Sequence, residues 1–202
     1  MVLQLPKPGF QARIDVPGKR PMDEDEFFEF CVKNKKLRIE REASGEIIIM
    51  PPTGFETGCR NNEVAYQLLA WARVEDRGLA PDSSTLYLLP NGAARGPDAS
   101  WVLKSRLANL SAKQMKRFLP VCPDFVVEPT SPSDRLNKQK AKMREWMDNG
   151  VALGWLIDVD RRTAYIYRPG REPEVLVEPD HIDGKGPVAG FRLELSRVWR
   201  SL

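Results

Sequence analysis

The chain has 202 residues, of which 42% are hydrophobic and 29% are charged. This length and composition are typical of a globular protein, and we predict a single domain over residues 21–202 behind an irregular arm at 1–20. No segment approaches the roughly 20 uninterrupted apolar residues of a membrane helix, and the first residues lack the pattern of a secretion signal. We therefore expect a cytoplasmic protein that has no membrane partner.

Cysteine and histidine usage argues against several kinds of site. Cys31, Cys59 and Cys122 form no CxxC pair and have no histidine nearby in the sequence, which argues against a zinc site or a disulfide framework. The single histidine, His181, has no G-x-S-x-G nucleophile motif to serve. We expect free thiols and no catalysis centred on histidine.

The overall charge identifies no partner. Lysine and arginine number 31 against 28 aspartates and glutamates, a net charge of +3. Basic side chains nevertheless cluster within residues 33–41, 104–117 and 135–144. Each cluster suits either a solvated surface or a strip of phosphate contacts.

The first part of the chain predicts a helix, a hairpin and a second helix. Asp23 can cap a helix over residues 24–34, whose first turn is acidic. Alternating residues at 35–42 and 46–50, with Ser44 and Gly45 between them, predict a hairpin. The segment MPPTGFETG interrupts the pattern, and helical spacing then continues over residues 61–78.

The rest of the chain predicts several strands and two helices. Short strands are expected at 83–90 and 98–103, followed by a helix over 112–119 with a capping box of Ser111 and Gln114. Buried strands are expected at 124–128 and 154–160, on either side of a helix over 134–150. Further strands are expected at 163–170, 174–178 and 191–195. This order predicts an α/β fold with a mixed β-sheet flanked by helices.

Two carboxylates stand out because the predicted structure should bury them. Asp98 follows Pro97 at the start of an apolar strand, and Glu128 ends the apolar strand DFVVE before Pro129. Neighbouring strands lie about 4.8 Å apart, so an aspartate and a glutamate on adjacent strands can share one cation. The alternative is that Asp98 caps a turn and Glu128 is a paired charge at a sheet edge.

A lysine-bearing helix begins a few residues after Glu128. Its predicted apolar stripe consists of Leu136, Met143, Trp146 and Met147. Lys138 and Lys142 lie on one flank of this stripe, where long side chains can reach back to the strand ends. Two carboxylates, a hard divalent ion such as Mg²⁺ or Mn²⁺ and a lysine suit phosphodiester hydrolysis.

The same residues carry a family resemblance. The segments GPDASWV, CPDFVVEPTSPSD and KMREWMDNGVALGWLIDVDRRTAYIYRPG resemble the Uma-type restriction endonuclease family of the PD-(D/E)-x-K nuclease superfamily. The resemblance spans residues 37–202 and implies a restriction-endonuclease-like core, a divalent-metal site and nucleic-acid cleavage. It matches Asp98 to the aspartate of the PD motif and Glu128 to the second acid, so both are expected metal ligands.

The chain departs from the superfamily pattern at the lysine. Two residues after the second acid, where the usual motif has lysine, this chain has Thr130. The resemblance implies that the lysine has moved to the following helix, where Lys142 matches, with Lys138 or Lys140 as possible substitutes. It also matches Glu56 to an acidic position that can complete the catalytic site.

The leading hypothesis is therefore a metal-dependent DNA endonuclease that forms a homodimer, with its dimer seam at the N-terminal hairpin. A second hypothesis keeps the fold without catalysis, as an inactive protein that binds nucleic acid or another partner. Glycoside hydrolysis by the carboxylate pair is a weaker third reading, because no aromatic platforms surround it. The choice between DNA and RNA, and any sequence preference, stay open.

Overall fold

The computed structural model describes residues 12–14, 20–132 and 134–200. The helices are α1 (Glu24–Lys33), α2 (Phe55–Glu75), α3 (Lys104–Leu107), α4 (Ala112–Met115) and α5 (Leu136–Asp148), with a 3₁₀ turn at Gly186–Val188. The strands are β1 (Ala12–Ile14), β2 (Arg38–Arg41), β3 (Ile47–Met50), β4 (Gly78–Leu79), β5 (Tyr87–Leu88), β6 (Ala94–Arg95), β7 (Ala99–Leu103), β8 (Phe125–Pro129), β9 (Leu153–Asp158), β10 (Thr163–Tyr167), β11 (Glu174–Val177), β12 (His181–Asp183) and β13 (Arg192–Glu194). Within these described ranges no helix combines the length and the apolar composition that crossing a membrane requires.

The centre of the fold is a six-stranded mixed sheet in the order β11-β10-β9-β8-β7-β4. Strands β8 and β9 are parallel because α5 forms the crossover between them, and the other neighbours in this sheet are antiparallel. Every residue of β8, β9 and β10 is buried, as expected for strands covered on both faces. The predicted mixed sheet flanked by helices is confirmed.

The two faces of the central sheet pack against different helices. On one face, Trp155 stacks on Phe191 with ring centroids 5.6 Å apart and meets Phe125 edge-on at 4.8 Å, below α2. On the other face, α5 inserts Met143 and Trp146, both fully buried. Gly154 permits this close approach, because a Cβ atom at that position would lie 2.5 Å from the Met143 methyl group.

A second sheet of five strands, in the order β1-β3-β2-β6-β5, is formed largely by the N-terminal half. Its apolar face packs on Phe27 of α1. Asp23 caps the N-terminus of this helix, as predicted. The predicted irregular arm needs correction, since Ala12–Ile14 pairs antiparallel with β3. A three-residue strand is too short to show a sequence period. Residues 1–11 and 15–19 of that arm lie outside the described part.

Other differences from the predicted elements concern short segments. Helix α2 begins at Phe55, six residues earlier than predicted, with Gly54 as its N-cap. The first turn was missed because it follows two prolines and contains Gly58, a poor helix former. The capping box of Ser111 is present, but α4 ends at Met115. Strands β4, β6 and β12 have two or three residues each and give no periodic signal.

Candidate active site

The pairing of β7 with β8 brings the two predicted acids together. The antiparallel register pairs Ala99 with Val127. Continuing that register by one position puts Asp98 opposite Glu128, and the Cβ atoms of such opposed residues lie about 4.5–5.5 Å apart. The two carboxylates therefore meet on one face of the sheet, as the sequence predicts.

Asp98 is held by a neutral donor and a cation. Its Oδ1 accepts a hydrogen bond from Asn61 Nδ2 at 2.9 Å, and Arg38 lies 3.6 Å from the same oxygen. The side chain is 16% exposed. Burial and the neighbouring charge of Glu128 raise the pKa of Asp98 to about 7, although Lys142 and Arg38 act in the opposite direction.

Glu128 is the more deeply buried acid, with 5% of its side chain exposed. Its Oε1 accepts from Lys142 Nζ at 2.8 Å and from the indole Nε1 of Trp146 at 3.1 Å. Both donors lie on α5, and a spacing of four residues puts them on the same face of the helix. The helix that covers the sheet therefore also delivers the predicted lysine.

The Lys142 ammonium has two further neighbours. It lies 3.4 Å from the carbonyl oxygen of Gly96 and 3.8 Å from Glu40 Oε1. Burial alone would lower the pKa of Lys142, but the charges of Glu128, Glu40 and Asp98 outweigh it and raise that pKa. Lys142 is therefore a permanently charged group within this site.

A buried arginine connects the site to its surroundings. Arg95 pairs with Glu145 of α5 at 2.7 Å, with Glu40 at 3.4 Å and with Glu42. Its side chain is only 8% exposed. We refer to Arg95 with Glu40, Glu42 and Glu145 as the Arg95 cluster, which joins strand β2 to helix α5 beside the candidate site.

The structure places the other predicted residues elsewhere. Lys140 lies over the ring of Tyr165, 4.1 Å from its centroid, on a different side of α5. Glu56 pairs with Arg60 at 2.7 Å and lines an open cavity of about 370 Å³ beside the C-terminal segment. Among the described residues, no contact joins Glu56 to Asp98 or Glu128. The role predicted for Glu56 remains a prediction.

Three neighbours of the site were missed by the sequence reasoning, namely Asn61, Arg38 and Glu40. Arg38 and Glu40 share one face of β2, since alternate residues of a strand point the same way. The segment RIER, residues 38–41, gave a sequence signal for Glu40, because a glutamate buried inside a strand needs a partner. Asn61 gave no comparable signal, since it was read as the first residue of α2.

Comparison with known proteins gives the family of this chain. The Uma2 family, described as "Putative restriction endonuclease", matches residues 24–196. The chain belongs to the Uma2 family. Among curated proteins, none matches it.

The fold of this Uma2 protein is also found in a solved structure. It is the crystal structure of "a putative nuclease belonging to DUF820" from Anabaena variabilis ATCC 29413. The TM-score is 0.69 at 23% sequence identity, and the match covers 89% of this chain and 98% of the other. At that identity the similarity shows a common fold.

The donor set of this Uma2 protein suits a hard divalent cation. Asp98 Oδ2 and Glu128 Oε2 have no hydrogen-bond or ion-pair partner in the part of the chain that the structure describes. The described ranges contain no group of three or more histidine, cysteine, aspartate or glutamate side chains that could hold a metal ion. A cation here would therefore be held by two carboxylates and water, which Mg²⁺ accepts readily.

The local charge also favours a cation. The acids of the site and of the Arg95 cluster are Asp98, Glu128, Glu40, Glu42 and Glu145, and their cationic partners are Arg38, Arg95 and Lys142. Five carboxylates against three cations leave a net charge of −2 when all are ionised. Such an excess of negative charge attracts a divalent ion.

Proposed function

We propose that this protein is a divalent-metal-dependent endonuclease that hydrolyses phosphodiester bonds of DNA. The observation that carries the proposal is the meeting of Asp98 and Glu128 across paired strands, with the Lys142 ammonium bound to Glu128. The description of the Uma2 family and the printed name of the Anabaena protein support the same class of activity.

In this proposal each residue has a distinct task. Asp98 and Glu128 would hold Mg²⁺ or Mn²⁺, which when bound lowers the pKa of a water ligand and polarises a phosphoryl oxygen. The Lys142 ammonium offsets negative charge that develops on the phosphate during attack. Asn61 and Arg38 fix the orientation of Asp98 through its Oδ1. Trp146 does the same for Glu128 through its indole N–H.

A cutter of duplex DNA must reach both strands, and two identical subunits related by a two-fold axis do this most simply. We therefore propose that the active form is a homodimer and that it acts in the cytoplasm. Sedimentation of the purified protein with and without duplex DNA tests the dimer. A monomer in both conditions would contradict that part of the proposal.

The activity is tested with supercoiled plasmid, single-stranded DNA and RNA, each incubated with Mg²⁺ or Mn²⁺. The wild type should cut DNA with either cation and should stop when EDTA is added. Asp98→Asn and Glu128→Gln should each reduce the rate by about a hundred-fold or more, since each removes a carboxylate that would hold the cation, and the cation offsets the negative charge of the transition state. Glu174→Gln, on the edge strand β11, is the matched control and should cut normally.

Three outcomes would contradict all or part of the proposal. Cleavage that survives both substitutions would mean that the reaction occurs at another site. Binding of DNA by a wild type that never cuts would favour the alternative, an inactive nucleic-acid-binding protein with the same fold. Cleavage of RNA alone would keep the site and change the substrate.

A further inference from the structure

The Lys142 ammonium lies between two carboxylates that belong to different sheets. Glu128, on β8 of the central sheet, is 2.8 Å away, and Glu40, on β2 of the N-terminal sheet, is 3.8 Å away. The carbonyl oxygen of Gly96 lies 3.4 Å from the same nitrogen. Lys142 thus has a close counter-ion in Glu128, and Glu40 is only about 1 Å farther from its ammonium.

Glu40 is held firmly in its place. Its Oε1 accepts from the backbone N–H of Gly96 at 3.0 Å, and its Oε2 pairs with Arg95 at 3.4 Å. Only 5% of its side chain is exposed. Neither contact requires Lys142, so the carboxylate stays oriented whether or not the ammonium approaches.

A cation bound to Glu128 would act on the Lys142 ammonium, which lies 2.8 Å from the same carboxylate. The ammonium and a divalent ion repel each other, and both would bind the carboxylate oxygens of Glu128. A buried ammonium that loses its partner is costly unless another carboxylate replaces it. Glu40 is the carboxylate that the structure provides for this purpose.

We propose that Glu40 is the second counter-ion of Lys142 and accepts the ammonium when Glu128 turns to a divalent cation. This inference rests on the proposed function, because it assumes that Asp98 and Glu128 hold the cation. It assigns Glu40 the task of a positioning residue that acts through Lys142. It also gives the N-terminal sheet a part in cation binding, although none of its residues needs to touch the ion.

The chain offers a matched control at Glu42. Glu42 follows Glu40 by two residues, lies on the same side of the sheet and also pairs with Arg95. Within the described residues it has no contact with Lys142. Glu40→Gln and Glu42→Gln therefore each remove one charge from the Arg95 cluster, and only the first removes a counter-ion of the ammonium. Glutamine at position 40 keeps an oxygen for the Gly96 N–H.

The experiment measures Mn²⁺ affinity without nucleic acid, by calorimetry or by water proton relaxation. It compares the wild type, Glu40→Gln, Glu42→Gln, Lys142→Met and the double variant Glu40→Gln/Lys142→Met. We expect Glu40→Gln to weaken Mn²⁺ binding by about ten-fold, the scale of effects from residues behind the ligands, and Glu42→Gln to weaken it clearly less, because it removes local negative charge but no counter-ion of the ammonium. In the Lys142→Met background the effect of Glu40→Gln should disappear, because no ammonium remains to compete.

The inference is overturned if Glu40→Gln and Glu42→Gln behave alike, or if Glu40→Gln has the same effect with and without Lys142. A wild type that binds Mn²⁺ and cuts DNA while Glu40→Gln changes nothing would reject this inference and leave the proposed function intact. A wild type that neither binds Mn²⁺ nor cuts would reject both.

A crystal of the wild type soaked in Mn²⁺ keeps the inference testable should Glu40→Gln fail to fold. We expect Lys142 Nζ within hydrogen-bond distance of Glu40 once Mn²⁺ occupies Glu128. An ammonium that stays on Glu128 beside the bound Mn²⁺ would overturn the inference.

Discussion

The central sheet and the N-terminal sheet differ in what they bury. The strands β8, β9 and β10 bury almost only apolar side chains, with Glu128 and Asp158 as the charged exceptions in their cores. The N-terminal sheet buries Glu40, Arg41 and Arg95 within strands of two to four residues. The comparison indicates that the central sheet supplies stability and the two acids, whereas the N-terminal sheet supplies charges that hold Asp98 and Lys142.

The largest effect on stability is expected in the central sheet. Trp155→Ala removes a fully buried ring that contacts Phe125 and Phe191, and should lower the free energy of unfolding by about 3–5 kcal/mol. Urea denaturation measures the loss. Val177→Ala on the edge strand β11, where the side chain is 73% exposed, is the control and should change little. A similar loss for both would contradict the claim that the buried strands of the central sheet supply the stability.

In the N-terminal sheet, the loss of a buried charge should lower the free energy of unfolding. Arg95→Met leaves the carboxylates of Glu40, Glu42 and Glu145 near one another without their shared cation. Removing one partner from a buried ion pair costs about 3 kcal/mol or more, measured by the same denaturation experiment. Arg168→Met breaks an ion pair with Glu174 that is more exposed, and serves as the comparison. Equal, small losses for the two arginines would mean that the Arg95 cluster is only a surface network.

The contact between α5 and the central sheet allows a finer test. Gly154→Ala puts a methyl group 2.5 Å from the end of Met143 and 3.0 Å from the end of Met147. Methionine side chains can shift, so we expect a loss of about 1–3 kcal/mol in the free energy of unfolding. Cleavage should also slow, because α5 carries Lys142. A loss of stability without any change in cleavage would mean that the packing of α5 at Gly154 does not control the position of Lys142.

The pKa of Asp98 predicts a pH effect without any metal. Because the pKa of this carboxyl rises from 3.8 to about 7 on folding, the folded protein holds a proton there that the unfolded chain releases. The Asp98 contribution to stability is therefore present below pH 4 and is lost as the pH rises through about 7. Denaturation in EDTA at about pH 5 and about pH 8 should show this fall in the wild type and a smaller fall in Asp98→Asn. An equal decrease in the free energy of unfolding in both proteins would contradict the raised pKa of Asp98.

The smallest effects are expected for the Mn²⁺ affinity of variants at two residues of α2. Asn61→Ala removes the hydrogen bond to Asp98 and should weaken Mn²⁺ binding by about ten-fold, as for other residues behind a ligand. Glu56→Gln removes an ion pair with Arg60 and should have the smaller effect of the two. Measurement of Mn²⁺ affinity compares them directly. A larger loss for Glu56→Gln would support the predicted role of that glutamate in the site.

The sequence predicted the parts of the site that follow from long, regular elements. Asp98, Glu128 and Lys142 could be assigned to one candidate site because apolar strands and an amphipathic helix surround them, and their register follows from local pairing. Asp124 directly precedes β8, where its Oδ2 accepts from the Leu103 N–H and its Oδ1 pairs with Arg106.

The remaining parts depend on contacts between distant segments. Glu40 meets Gly96 across 56 positions and Asn61 meets Asp98 across 37, and no local period reports such contacts. Strands of two or three residues, such as β1 and β6, also escape pattern analysis because they contain less than two periods. The partners of Glu40 and Asn61 were therefore accessible only from the folded arrangement.

The most direct test of the central claim is the position of Mn²⁺ in a soaked crystal, read from its anomalous scattering. We expect one strong peak between the carboxylates of Asp98 and Glu128, and no such peak in crystals of Glu128→Gln. A peak bound elsewhere, with these two carboxylates unchanged in the wild type, would contradict it.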